Sequence, residues 1–277
     1  MSEELSGGAA PAEAGESLRV TVSMADHVAV VTLTRPDKHN ALDLPMLDAI
    51  IGAGERLRSE PGVRAIVLHG AGRSFSSGLD FPAVAAAGGL EAFTPILEEE
   101  PPNYFQRAGY VWIDVPVPVI AAIHGNCLGG GLQIALAADI RIATPDARLS
   151  VMEGRWGLIP DMSITRTLPR LVGIDVAKEL TYTARTVTGE EAHGMGLVTR
   201  TADDPLAAAL ELAREIAGRS PDAVRRAKRL FDEGWVGSAA ETLSLEARLQ
   251  AELIGTPNQL TAMTAGFTKQ TPEFTDP

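Results

Sequence analysis

The chain has 277 residues, 24 of them Lys or Arg and 36 Asp or Glu, for a formal net charge of −12. That excess of acid argues against nucleic acid or an anionic membrane as partner and favours solubility. A single cysteine, Cys127, excludes an internal disulfide and points to a reducing cytoplasm. No segment reaches the ~18 uninterrupted apolar residues of a membrane span.

Residues 1–17, MSEELSGGAAPAEAGES, are small and acidic, lack a basic-then-apolar signal pattern, and read as a disordered tail. Val20–Met24 and His27–Leu33 read as strands joined by a tight turn at Ala25-Asp26. After the stop at Arg35-Pro36-Asp37, a helix opens at Leu44-Pro45 with Leu47, Ile50, Ile51 and Leu57 on one face. It ends near Glu60-Pro61-Gly62, and Val63–His69 follows as a buried strand. Two such strand–helix–strand passes predict a mainly parallel sheet. Residues 70–80, GAGRSFSSGLD, form a small-residue loop rich in backbone donors.

Residues 82–115 show the least pattern: two helices, the second near Tyr104–Ile113, separated by the solvated acids Glu98–Glu100 and Pro101-Pro102. Short strands are expected at Asp139–Ala143 and Arg148–Val151, then a turn and short helix within Glu153–Pro169. Helices follow at Val172–Tyr182, Thr188–Met195 and Pro205–Gly218, with a strand near Leu197–Thr201. From Ser220-Pro221-Asp222, a clear helix start, the chain reads as helical to Thr268. Arg225, Arg226, Lys228 and Arg229 form a basic patch there, either a solvated face or a phosphate contact.

The most informative stretch is Val119–Ala143. A buried strand at Val119–Ile123 is broken by His124-Gly125-Asn126, and Gly129-Gly130-Gly131 precedes a helix marked by Leu132, Ala135, Leu136 and Ile140. At a helix start the first N–H groups lack intrahelical partners and carry partial positive charge. Glycine lets a ligand approach them, so the run can build an anion site or an oxyanion hole; it can equally serve close packing of helix on strand. Neither GxxxxGK[ST] nor GxGxxG is present. His124 and Cys127 read as buried structural residues, no cluster has metal-ligand spacing, and no GxSxG elbow supports a serine nucleophile.

Taken in order, LTRPDKHNAL (33–42), GRSFSSGLD (72–80), HGNCLGGGLQIALAADIRIA (124–143), GLIPD with LPRLVG (168–173), and Gly189–Val198 resemble the crotonase superfamily, the enoyl-CoA hydratase/isomerase family, over residues 18–274. The resemblance implies an α/β spiral of ββα repeats at 18–219 and a C-terminal helical trimerisation region at 220–277. It also implies an acyl-CoA thioester as substrate, no cofactor beyond that coenzyme A, and a homotrimer or dimer of trimers. By position, the backbone N–H groups of Ser77 and Gly130 would hold the thioester oxygen. Lys38, His39, Ala41, Ser77, Leu79, Asp80, Lys228 and Phe267 would contact coenzyme A, with Asp80 also bracing its own loop.

Hydratases of this family carry two glutamates. The second matches Glu153, whereas the first position holds Gln133, which cannot exchange a proton but can hold a water. Asp161 stands where dienoyl-CoA isomerases of the family carry a catalytic aspartate; its other reading is a helix N-cap before Met162-Ser163-Ile164. These positions imply proton-transfer isomerisation through Glu153 and Asp161. The alternatives are a two-acid type hydratase or a non-catalytic acyl-CoA binder.

Overall fold

The computed structural model describes residues 18–277, so the expected tail at 1–17 lies outside the described residues. Nine strands are distributed over two sheets among these residues. The larger has β1 (Val20–Ala25), β2 (Val28–Leu33), β3 (Ala65–Gly70), β4 (Val119–Ile123), β6 (Ile140–Ala143) and β9 (Arg200–Thr201), in that spatial order. The smaller holds β5 (Asn126–Leu128), β7 (Arg148–Ser150) and β8 (Val187–Thr188). β1 pairs antiparallel with β2, and every later pair in the large sheet is parallel.

The first hairpin turns at Asp26-His27, one residue later than expected, because Ala25 pairs with Val28. Both turn residues are left-handed, φ 50° and 65°, the conformation that matches a two-residue hairpin to the strand twist. Alternation then sorts the large sheet into two faces. Val28, Ala65, Val67, Ile120 and Ile142 meet the alanine stripe Ala209, Ala213 and Ala217 of a single helix. Ala29, Val31, Leu33, Ile66, Leu68, Ala121 and Ile123 face the main core.

Among the described residues eight α-helices lie between strands, α1 Leu44–Arg58, α2 Phe81–Ala86, α3 Thr94–Leu97, α4 Tyr104–Asp114, α5 Gly130–Leu136, α6 Ile164–Thr167, α7 Ile174–Thr183 and α8 Gly189–Gly194, and four follow the last strand, α9 Pro205–Ala217, α10 Pro221–Gly234, α11 Ala239–Ala251 and α12 Pro257–Thr268. α1 starts where Asp43 accepts from the Met46 N–H at 2.9 Å, with proline in the first turn. Its buried face packs on α4, and a side chain at Gly54 would strike Val111 at 2.5 Å, so glycine sets how closely the two helices approach.

Two expectations need revision. The strand leading into the glycine run is β5, in the smaller sheet, not β4. After Ile123 the chain turns at Gly125, φ 56°, where a β-carbon would lie 2.0 Å from the Arg73 carbonyl, and enters a new sheet. The stretch 220–268 is not one helical run but three helices, broken at 235–238 and 252–256. A capping box between Ser238 and Glu241 restarts it after the first break. Lys228 pins α10 to the core through Asp139, at 2.7 and 2.8 Å. The last residues fold back, where Arg64 meets Asp276 at 2.6 Å and the Phe274 carbonyl at 2.9 Å.

Candidate active site

Asn40 organises the first half of the site. It is fully buried and left-handed, φ 52°. Its Nδ2 donates to the carbonyls of Ala71, Ser74 and Phe75, and its Oδ1 accepts from the Arg35 N–H at 2.8 Å. Ser76 returns a bond to the Asn40 carbonyl at 2.8 Å. Segment 35–42 is thereby fastened along the loop 70–80. Sequence reasoning passed over Asn40, although an asparagine just after a turn is a natural left-handed residue.

The loop then corrects one assignment. The Ser77 N–H donates to the His39 carbonyl at 2.9 Å, so it is not a free oxyanion donor. Leu42 and Leu79 form a parallel bridge, with Leu42 N–H donating to Gly78 and Asp80 N–H to Leu42. Neither bond uses the Leu79 N–H, which has no acceptor among the described residues. The Gly130 N–H, at the first position of α5, is in the same condition. The two lie on abutting loops: Gly78 is left-handed, φ 85°, and a β-carbon there would sit 2.7 Å from the Leu128 carbonyl and 3.7 Å from the Gly129 Cα. Glycine at 78 is what lets them meet.

The acids occupy the other side. A β-carbon on Gly129 would lie 3.3 Å from Glu153 Oε1, so the carboxylate sits beneath the glycine turn. Gln133, 1% exposed, donates from Nε2 to Glu153 Oε1 at 2.6 Å and accepts at Oε1 from the Met162 N–H at 2.8 Å. Glu153 Oε2 is buried without a protein partner. Burial pushes the Glu153 carboxyl above its ordinary range; hydrogen bonds from its own N–H and from Gln133 oppose this, and the Asp161 charge adds to it. Asp161 is solvent-accessible as a residue, yet desolvation by the surrounding loop raises its carboxyl too. Asp161 does not cap α6; that place is taken by Ser163, left-handed at φ 68°.

Of the residues expected at coenzyme A, four come together. Lys38, Ala41, Leu79 and Asp80 line one depression of about 500 Å³ with Arg35, Phe81, Pro82 and Ala83. Lys38 has no ion pair among the described residues. Asp80 braces its loop as expected, accepting from Ala83 N–H at 3.1 Å and Arg35 at 2.6 Å. Desolvation alone would raise its pKa, but those two bonds outweigh it and hold it low. His39 turns away to Ser74 Oγ at 2.9 Å.

Lys228 and Phe267 are not brought to this depression. Lys228 is neutralised by Asp139 and borders a separate cavity, and Phe267 stands 81% exposed on α12. The neighbouring basic residues are also engaged within the chain, Arg225 to the Val63 carbonyl, Arg226 to Glu252 and Arg229 to Glu233. His124 is half-buried rather than buried, hydrogen-bonded to Gly72 at 3.0 Å. Cys127 is fully buried, which pushes its thiol well up and leaves it inert.

This geometry has counterparts in known proteins. The profile of the enoyl-CoA hydratase/isomerase family matches residues 23–277. The human mitochondrial Delta(3,5)-Delta(2,4)-dienoyl-CoA isomerase is 35% identical over 275 residues, covering 95% of this chain and 84% of that protein. YngF of Bacillus subtilis, assigned to the enoyl-CoA hydratases/isomerases, is 36% identical over 251 residues, covering 88% of this chain and 93% of YngF. An enoyl-CoA hydratase structure from Bacillus anthracis superposes with a TM-score of 0.86 at 31% identity, covering 93% of this chain and 99% of that one. Two abutting backbone donors, a buried acid beneath a glycine turn and near-complete coverage by these relatives lead to one conclusion: the chain is an enzyme of the enoyl-CoA hydratase/isomerase family.

Proposed function

We propose that the protein is an acyl-CoA isomerase that shifts conjugated double bonds by proton transfer, with Asp161 as base and Glu153 as acid. The carrying observation is the state of Gln133. It transfers no proton, and its oxygen and nitrogen ends are committed to Met162 and Glu153, so it is poorly placed to present an attacking water. Two desolvated carboxyls remain, and the Asp161 charge raises Glu153 further. A pair in that condition favours one ionised and one protonated member, which is what an acid and a base require.

In this reading Asp161, the ionised member, removes a proton from the carbon beside the thioester carbonyl. The C–H electron pair moves into the conjugated system, and negative charge collects on the thioester oxygen. There it meets the N–H groups of Leu79 and Gly130, each worth about 10²- to 10³-fold in rate. Glu153 then delivers its proton to a carbon further along, forming the new C–H bond. No water enters; proton exchange between the two acids or with solvent resets them. The likeness to the human dienoyl-CoA isomerase supports this assignment. Coenzyme A would lie in the depression beside Lys38, its phosphates meeting that ammonium.

Hydration of a 2-enoyl-CoA is the second reading, favoured by the likeness to the Bacillus anthracis hydratase. It would require Glu153 alone to activate water and return the proton. Incubation with 3,5-dienoyl-CoA and 2-enoyl-CoA separates the two by mass. Isomerisation leaves the mass unchanged and creates the absorbance of a 2,4-dienoyl thioester; hydration adds one water. Efficient hydration that survives Glu153→Gln would overturn the assignment.

For assembly, we propose a homotrimer or a pair of trimers. Phe231, Trp235, Val236, Ile254 and Phe267 leave large apolar surface exposed on and between α10–α12, which self-association would cover. A light-scattering mass of one chain at micromolar concentration would rule this out.

A further inference from the structure

We infer that Phe81 and Trp156 form a selectivity wall favouring acyl groups that present a flat conjugated or aryl face; this rests on the acyl-CoA reading above. The two rings pack with centroids 4.6 Å apart at an interplanar angle of 50°. They come from opposite halves of the site. Phe81 opens α2, two residues after the free Leu79 N–H, and is held there by the Asp80 cap and Arg35. Trp156 closes the short 3-10 turn that Glu153 opens. Side chains three apart in such a turn eclipse one another, so the indole leaves the backbone on the same face as the Glu153 carboxylate. The aromatic contact therefore spans from the donor side to the acid side.

Trp156 is nevertheless 54% exposed, and its indole N–H has no hydrogen-bond partner among the described residues. Leu158 and Ile159, next along the chain, are 38% and 78% exposed. Apolar side chains exposed beside a polar site mark a contact surface, and large aromatic rings are costly to hold in water otherwise. Charge chooses between the ends of the ligand. Lys38 gives the depression a cation for the anionic coenzyme, while Phe81 and Pro82 add apolar lining. That leaves the acyl group for the aromatic pair. A saturated chain would gain only buried area there. A flat π-system would add ring-to-ring attraction, about 2- to 12-fold in affinity.

The test compares cinnamoyl-CoA with octanoyl-CoA binding by calorimetry in a Glu153→Gln background, so that turnover does not interfere. Trp156→Leu keeps apolar area but removes the ring. It should weaken cinnamoyl-CoA by about 2- to 12-fold and leave octanoyl-CoA within roughly twofold. Trp156→Phe should keep most of the preference, and Phe81→Leu should lose it as Trp156→Leu does. Equal losses for both ligands, or none, overturn the wall. So does a fall in assembly mass on Trp156→Leu with the preference unchanged, which would make the ring a subunit contact. If the preference follows Trp156 while wild type turns over no dienoyl-CoA, the isomerase reading fails and the wall stands. If neither thioester binds, both fall.

Discussion

The two halves of the site are built from different material. The donor half uses main chain: the free N–H groups of Leu79 and Gly130, placed by a parallel bridge, Asn40 and the close approach of Gly78 to Leu128. The acid half uses side chains: Gln133, Glu153 and Asp161, whose roles depend on which atoms each carries. The difference teaches how each half responds to substitution. Main-chain donors survive most substitutions as long as the loops meet. A carboxylate in place of the Gln133 amide would lose the N–H that Glu153 accepts and set two acids against each other.

That contrast can be broken most severely on the acid side. Glu153→Gln should cut isomerisation by about 10²- to 10⁴-fold while leaving acyl-CoA affinity within about threefold, since the donors are backbone. Steady-state kinetics with calorimetric binding checks both. Next comes the donor side. Gly130→Pro removes one N–H and also sets a β-carbon 2.7 Å from Met162 Sδ and 3.0 Å from Leu42 Cδ1, so it should cost at least about 10²- to 10³-fold in turnover. Circular dichroism and thermal unfolding establish whether the variant keeps its fold.

The framework beneath the donors comes third. Asn40→Ala deletes four hydrogen bonds and leaves buried carbonyls unpaired, so urea unfolding should show about 2–4 kcal/mol of lost stability.

The smallest effect sharpens the acid side through pH. Burial raises the Glu153 carboxyl, so the folded state holds its proton more tightly than the unfolded state. Folded stability is therefore greatest below the ordinary glutamate range and falls as pH rises through the raised value. The ionised carboxylate is a cost at neutral pH. Glu153→Gln should thus raise the midpoint of thermal unfolding by about 2–4 °C per kcal/mol relieved at pH 7, with the gain vanishing near pH 4. Activity should fall over the same rise in pH, the basic limb of kcat/KM following the raised Glu153 value because the acid must be protonated. An unchanged midpoint at pH 7 would mean that solvent reaches Oε2.

Much of this was readable in the chain. Alternating and continuous apolar runs located β2, β3, β4 and α1, because burial on a sheet or helix face leaves a periodic trace. Glu153, Asp161 and Gly130 were placed by motif. The departures have physical causes. β5 is three residues long, too short to leave a period, so the switch of sheet at Gly125 was invisible. Ser77 and Leu79 differ only in where their N–H groups point, and backbone direction leaves no mark on residue type. Lys228 looked like a coenzyme ligand because sequence does not reveal that Asp139, 89 positions away, neutralises it. The aromatic pair of Phe81 and Trp156 joins residues whose meeting only the fold decides.

Arg64 carries a consequence for how the molecule is made. Its guanidinium is 8% exposed and is satisfied by Asp276, Phe274 and the end of α9, across a separation of up to 212 residues. A growing chain has the arginine and the sheet well before the carboxylate. Until residue 276 is in place, the start of β3 holds a largely desolvated cation without its counter-charge. Final consolidation of that edge therefore waits for Asp276, 212 positions after Arg64.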